Sequence, residues 1–345
     1  GLWELNPDGT RTLNGMNQPI PTYSNQEITE MARVMTGLWF GGQRWGIGGW
    51  TDVDNTVPMD MHADRHDFGE KHLLRGFVIP ARAATREEGM RDVRDAIRHL
   101  FEHPNTGPFI GRQLIQFLVT DNPSPAYVQR VAAVFADNGS GVRGDLGAVV
   151  QAILLDEEAR DPRFSDREPN FGRLKEPVFR MMAIGRVMGM ISQDNLRWWD
   201  WGDFYAEARQ EPAYSPSVFN FFKPDYHAPG LPTQHQLDTP VFQITDSYSS
   251  IAFPNRIWRT LDEGFSFYDY YRQPLSMGPW RDLAAADSTR LVDRMNLLFC
   301  AGRMTVGTRS TILNAINQLA PGQTAERVRV AAYLALVSPE GAVMK

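Results

Sequence analysis

Cysteine is nearly absent from this sequence. Cys300 is the only one among 345 residues, so no intrachain disulfide can form, and a haem attachment motif is excluded. Its setting in LLFCAG is apolar, which predicts a buried thiol, because a reactive one needs an exposed, electropositive environment. The missing disulfides do not fix the compartment, since exported proteins can do without them.

Long apolar runs are also lacking. None reaches the roughly 18 residues that a membrane-crossing helix needs. Basic runs are missing as well: the formal net charge is −6, with 35 Lys and Arg scattered among 41 acids, which argues against a nucleic-acid footprint. Motifs of the common enzyme classes do not occur. There is no GxSxG elbow and no HExxH. The glycines at 41, 42, 46, 48 and 49 lack the spacing and the following helix of a phosphate or dinucleotide loop.

What is present is a globular composition, 42% hydrophobic and 22% charged, on a chain long enough for one large domain or two ordinary ones. Residues 1–23 are turn-rich, with Asn6-Pro7-Asp8-Gly9 and Asn14-Gly15 pointing to a hairpin or irregular arm. Ser24 and Glu27 make a capping box that opens a helix over 25–39 with Ile28, Met31, Met35 and Leu38 on one stripe. Thr85 and Glu88 open a second helix, with Met90, Val93, Ala96, Ile97, Leu100 and Phe101. Residues 108–119 make a third. Ser124-Pro125 starts a fourth, and Asp145 caps a fifth that carries Leu146, Val149, Val150, Ile153 and Leu154. The ADNGSGVRGD loop between the last two lacks the ligand series of a calcium-binding hand. Residues 156–176 read as a charged, solvated connection. Pro177 begins a helix that ends at Gly189, and the last third returns to helices around Val241–Ile251, Leu291–Phe299, Thr311–Ala315 and Thr324–Leu336.

These signals predict a mainly α, irregular multi-helix domain with long Gly-, Pro- and aromatic-rich loops and one short β-hairpin. It divides into a loop-rich arm with one helix (1–80), a helical centre (81–190) and a part with aromatic loops and C-terminal helices (191–345). The chain opens on GLWELNPDGT without Met, which suggests that an earlier element precedes it.

Two irregular stretches hold the candidate functional residues. Between Trp39 and Pro80 lie His62, Asp64, His66 and Asp67, a possible divalent-metal ligand set of imidazole nitrogens and carboxylate oxygens, although the spacing fits no defined zinc signature. His66, Asp67 and Lys71 are the candidates for acid–base or catalytic work. Between 193 and 240, Trp198, Trp199, Trp201 and Tyr205 could form a platform for a polysaccharide or a protein partner, since flat amphipathic rings suit both.

The segments HDFGEKHLLRG (66–76), HPNTGPFIGRQLIQFLVTDNPSPAYVQRVAAVFADNGSGVRGDLGAVVQAILLDEEAR (103–160), GRLKEPVFR (172–180), YSPSVFNFF (214–222) and LVDRMNLLF (291–299) closely resemble, in order, the bacterial family called domain of unknown function 1800 (DUF1800). The resemblance implies one domain across 1–345. It also implies that the chain is the C-terminal part of a longer protein, because members carry a helix with a Glu-Asn-x-Ala-Arg-Glu type motif before the position of Gly1. His66, Asp67, Gly69 and Lys71 match the family's His-Asp-x-Gly-x-Lys pattern. The resemblance further implies an exported protein, periplasmic, cell-surface or secreted, and points to a sulfatase-like exported protein of the DUF1501 family, often encoded beside members, as partner; the aromatic-rich loops make a polysaccharide the other candidate. It carries no settled activity. Two readings follow: a binding and assembly component, or a metal-dependent hydrolase or oxidase built on the His66/Asp67 loop.

Overall fold

The computed structural model describes residues 1–41, 56–190, 202–218, 220–267 and 271–345. Its contacts fall into two compact units, Gly1–Leu114 with Ser124–Asp156, and Ile115–Pro123 with Glu157–Lys345. The fold is mainly α, as the periodicities predict.

The first unit holds α1 (Asn25–Met35), β1 (Leu38–Trp39), β2 (Asp60–Met61), β3 (Lys71–His72), β4 (Val78–Ile79), α2 (Arg86–Glu102), most of α3 (Thr106–Leu118), α4 (Pro125–Ala136) and α5 (Leu146–Leu155). Caps set the starts. Ser24 and Glu27 form the expected box at α1, Thr85 caps α2, Ser124 with Pro125 opens α4, and Asp145 accepts from the Ala148 N–H at α5. α1 stops at Met35, short of the predicted 39, because Thr36 is extended and Gly37 takes φ 74°. Leu38 and Trp39 instead pair antiparallel with Met61 and Asp60. The turn-rich arm of residues 1–23 is pinned by Asn105, whose side chain accepts from Leu5 N–H and donates to Trp3 O and Thr22 Oγ1.

On two helices the buried face is rotated from the one the apolar residues suggest. α2 buries Gly89, Asp92, Val93 and Ala96, while Ile97 is 55% exposed and Leu100 and Phe101 face outward. α5 buries Val149 and Ile153 but leaves Leu146, Leu154 and Leu155 exposed. A strong polar interaction turns α2, as described below.

The second unit takes α6 (Glu157–Arg160), α7 (Pro162–Arg167), β5 (Arg173–Leu174), α8 (Pro177–Met188), α9 (Gly202–Ala208), α10 (Leu231–Gln234), α11 (Ser249–Glu263), β6 (Phe265–Phe267), β7 (Tyr271–Gln273), α12 (Gly278–Ala286), α13 (Ser288–Phe299), α14 (Val306–Asn317), α15 (Thr324–Val337), α16 (Pro339–Ala342) and β8 (Val343–Met344). The charged connection expected at 156–176 is partly helical instead. Asp161 caps α7 with Pro162 at its first position, and Glu158 is buried. α15 is the hub, packed by α11, α12, α13 and α14. Its Val328, Ala331, Ala332 and Ala335 are buried with Met295, Leu291, Ile257 and Ile312 in one core, and small Ala side chains let the neighbouring backbones come close. Cys300 lies in this core, 3.7 Å from Ala335 O, and burial pushes its thiol pKa up, so it is a structural thiol.

Among the described residues there are four two-stranded antiparallel pairs rather than one hairpin, each only two or three residues long. β5 pairs with β8, joining Arg173–Leu174 to Val343–Met344 near the end of the chain.

The segment GRLKEPVFR, which starts at β5 and runs into α8, explains much of the second unit. Arg173 donates to Phe117 O at the end of α3, Lys175 to Phe299 O at the end of α13, and Arg180 to Leu336 O at the end of α15. The last carbonyls of a helix have no partner within it and carry its negative pole, so a cation there is favourable. One short segment therefore gathers three helix C-termini. Burial pulls the Lys175 pKa down and that of Arg180 to about 10. Arg180 also lies 4.9 Å from the Phe253 ring centre, and Arg173 is held by Glu176 at 3.0 Å.

Candidate functional site

The His-Asp-x-Gly-x-Lys pattern folds into two clamps within the first unit. The first centres on Asp92, which α2 presents on its inner face with its side chain closed to solvent. Lys71, on β3, donates from Nζ to Asp92 Oδ2 at 2.6 Å and to Gly69 O at 3.0 Å. His66 Nε2 lies 3.2 Å from the same Oδ2, while its Nδ1 lies 2.7 Å from Thr36 O. Arg82 Nε approaches Asp92 Oδ1 to 2.8 Å, a charge contact whose angle does not make a hydrogen bond, and Arg82 also pairs with Glu88 and Asp95. An ionised carboxylate inside a protein needs such partners, because its desolvation is otherwise prohibitive. This need turns Asp92 inward and Ile97 outward on α2.

The second clamp is Asp67. Its carboxylate accepts from Arg33 Nε at 2.7 Å, Arg33 Nη2 at 3.2 Å and Gly69 N–H at 2.9 Å, while its own N–H donates to Thr36 Oγ1. These donors, the Arg33 guanidinium first, hold the carboxyl at about 2 and raise the pKa of Arg33. Arg33 further binds Glu30 and Glu70 O. The motif thus ties α1, β3 and α2 together.

Of the four possible metal ligands, His66 and Asp67 turn to different partners, Asp92 and Arg33, while Asp64 pairs with its neighbour Arg65 at 3.4 Å near the surface. His62 has an interaction of its own and its N–H donates to Gly37 O. Among the described residues, no group of three or more His, Cys, Asp or Glu side chains could hold a metal ion. Both ring nitrogens of His66 face protein oxygens inside a closed site, so substrate has no path to them in this arrangement.

Trp198, Trp199 and Trp201 lie outside the described residues. Tyr205 is on α9, partly exposed. Beside it, where α9 packs on α11, an open groove of about 680 Å³ is lined by Glu207, Tyr248, Ile251, Asn255 and Arg259. Tyr248 and Ile251 are 54% and 67% exposed. Arg209 stacks 5.3 Å from the Tyr248 ring centre and pairs with Asp246 at 3.0 Å, and Glu207 is held by Arg256 and Arg259. The backbone of Arg209 takes φ 58°, an uncommon conformation for a non-glycine residue.

A second polar cluster in the second unit was not foreseen. Asp121, Asp238, Glu176 and Arg173 are buried together, with Gln116 and the half-buried His227 bound to Asp238. No spacing rule joins positions 121 and 238. Asp92 was missed as well, because the apolar residues of α2 point to Met90, Ile97 and Leu100 rather than to the Gly89, Asp92, Val93 and Ala96 face that is buried.

No curated protein matches the chain, and no solved structure does. Residues 12–343 match the model of a family described as a protein of unknown function (DUF1800), and with nearly the whole chain covered, the protein belongs to that family.

Proposed function

We propose that this DUF1800 member is a binding and assembly component that works outside the cytoplasm and holds a protein partner in the groove between α9 and α11. The observation that carries this reading is the composition of that groove. An exposed Tyr and an exposed Ile sit among arginines fixed by Glu207 and Asp246, and Tyr and Arg are among the residue types enriched in protein–protein hot spots. A polysaccharide is the weaker candidate at this place, because a sugar needs a free aromatic face and the Tyr248 ring is partly covered by the Arg209 guanidinium. Export rests on the family resemblance. A metal-dependent hydrolase or oxidase on the His66/Asp67 loop has no geometric support, since those side chains are committed to Asp92 and Arg33.

The test is to isolate the tagged protein from the native cell envelope, as wild type and as Ile251→Asp. A stoichiometric protein partner should accompany the wild type and be lost from the variant, with the thermal midpoint unchanged. A wild type that comes out alone, or a complex indifferent to Ile251→Asp and Tyr248→Ala, would refute the proposal. Retention of cell-wall polysaccharide in place of a protein would also refute it.

A further inference from the structure

The groove beside α9 runs along α11. Tyr248, Ile251, Asn255 and Arg259 line it at i, i+3, i+7 and i+11, spacings that fall on one face of a helix. The stripe is roughly 16 Å long, about three helical turns.

One end of the stripe is apolar and the other is cationic. Tyr248 and Ile251 are exposed at the first. At the second, Arg259, with its side chain 51% exposed, donates from Nη2 to Glu207 Oε1 and bonds to nothing else among the described residues. A guanidinium carries five N–H donors in a planar fork, so most of those of Arg259 are left over at the groove wall. The neighbouring charges are engaged. Glu207 is also held by Arg256 at 3.2 Å, and Arg209 pairs with Asp246 at 3.0 Å. Among the described lining residues Glu207 is the only acid, so the groove has a cation to offer a partner and no uncommitted carboxylate.

Both walls are helices, whose backbone N–H and C=O groups bond within the helix itself. An extended peptide therefore finds no strand edge to lengthen, and recognition falls to side chains. A helix laid along α11 presents side chains at the matching spacing.

With the groove as the partner site proposed above, we propose further that the partner inserts an acidic amphipathic helix, its apolar side chains on Tyr248 and Ile251 and a carboxylate on Arg259. Ile251 and Arg259 are separated by roughly 12 Å along α11, so on a partner helix running beside it the apolar and acidic residues lie about eight positions apart. A carboxylate meeting the open edge of a guanidinium makes two parallel, charge-assisted hydrogen bonds. That contact fixes register and selects against basic partners, while burial of Tyr248 and Ile251 supplies affinity.

The complex isolated from the cell envelope tests this, with wild type, Arg259→Gln and Arg259→Glu compared. At about 0.1 M NaCl, partner recovery with Arg259→Glu should fall by about tenfold or more, since like charges then face each other, and Arg259→Gln should fall between the two. Raising NaCl to about 0.5 M should bring wild type and Arg259→Gln together, because salt screens a half-exposed pair. A benzophenone amino acid in place of Ser247, another lining residue, should cross-link under light to a partner segment with apolar residues at helical spacing and an Asp or Glu about eight positions away. Recovery indifferent to Arg259→Glu yet lost with Ile251→Asp would overturn the acidic helix and leave the groove as the partner site. A cross-linked segment that lacks an acid, or is rich in Gly and Pro, overturns it too. A wild type that recovers no partner overturns both readings. Arg259→Gln leaves Glu207 its contact with Arg256, so its thermal midpoint should match the wild type; should Arg259→Glu melt earlier, Arg259→Gln and the cross-linked sequence decide.

Discussion

Replacing Lys71 by Met tests the central claim about the His-Asp-x-Gly-x-Lys motif, that it exists to neutralise Asp92. Met preserves an unbranched apolar stem of similar length, so packing changes little, while the ammonium and its two bonds, 2.6 Å to Asp92 Oδ2 and 3.0 Å to Gly69 O, disappear. Both side chains are fully excluded from solvent. Removing one partner of such a pair generally costs about 3–5 kcal/mol, because the other charge is left buried. Here His66 at 3.2 Å and Arg82 at 2.8 Å remain beside Asp92, which places the expected loss near the lower end, about 3 kcal/mol. Asp92→Leu alone should cost a similar amount by stranding Lys71. The double variant Lys71→Met/Asp92→Leu should cost less than the sum by about 2 kcal/mol or more, since neighbours in one network are coupled and a well-packed apolar pair can replace a buried ion pair. Urea unfolding followed by circular dichroism gives the three values, and amide exchange along α2 localises the effect. A single-variant loss under about 1 kcal/mol, or strict additivity in the double variant, would show that the buried contacts are not what the motif is for.

Two further outcomes follow from the same physics. Arg173→Met strips the cation from the end of α3 and removes the charged partner of the buried Glu176, which keeps its bond from Gln210, so a loss of about 3 kcal/mol is expected in denaturant unfolding; a loss within about 0.5 kcal/mol, as at ordinary surface sites, would contradict its role in gathering helix ends. Asp67 is held at about 2 by Arg33 and Gly69, below its unfolded value, so its contribution is present above about pH 4 and disappears as pH falls toward 2. Because its side chain is 39% exposed, solvent screening limits the effect to under about 1 kcal/mol. Asp67→Asn should therefore narrow the stability difference between pH 7 and pH 3 by that small amount, and an unchanged difference would count against the clamp.

The helix starts were legible because their causes are local. Ser24, Thr85, Ser124 with Pro125, and Asp145 each cap the helix that follows by bonding N–H groups two or three residues away, and no distant part of the chain is needed for that. Asp161 with Pro162 carried the same signal for α7, though charge made the stretch read as a loop. Which face of a helix turns inward was less legible. Counting apolar residues favoured Ile97, Leu100 and Phe101 on α2, but one buried carboxylate flanked by Lys71, Arg82 and the His66 ring outweighs several methyl groups, and those neighbours arrive from outside the helix. The His66, Asp67 and Lys71 motif was visible as a motif, and its destination was not.

The sequence by itself determined the class of the fold, the family and the positions of most helices, since periodicity, capping and turn chemistry act over a few residues. Only the tertiary structure decided that His66 and Asp67 serve different partners, that residues 173–180 collect three helix C-termini, and that Asp121 lies beside Asp238 more than a hundred positions away. Those facts depend on which charged groups the folded chain buries together. Burial multiplies the strength of an electrostatic contact without leaving any mark on the spacing of the residues that make it.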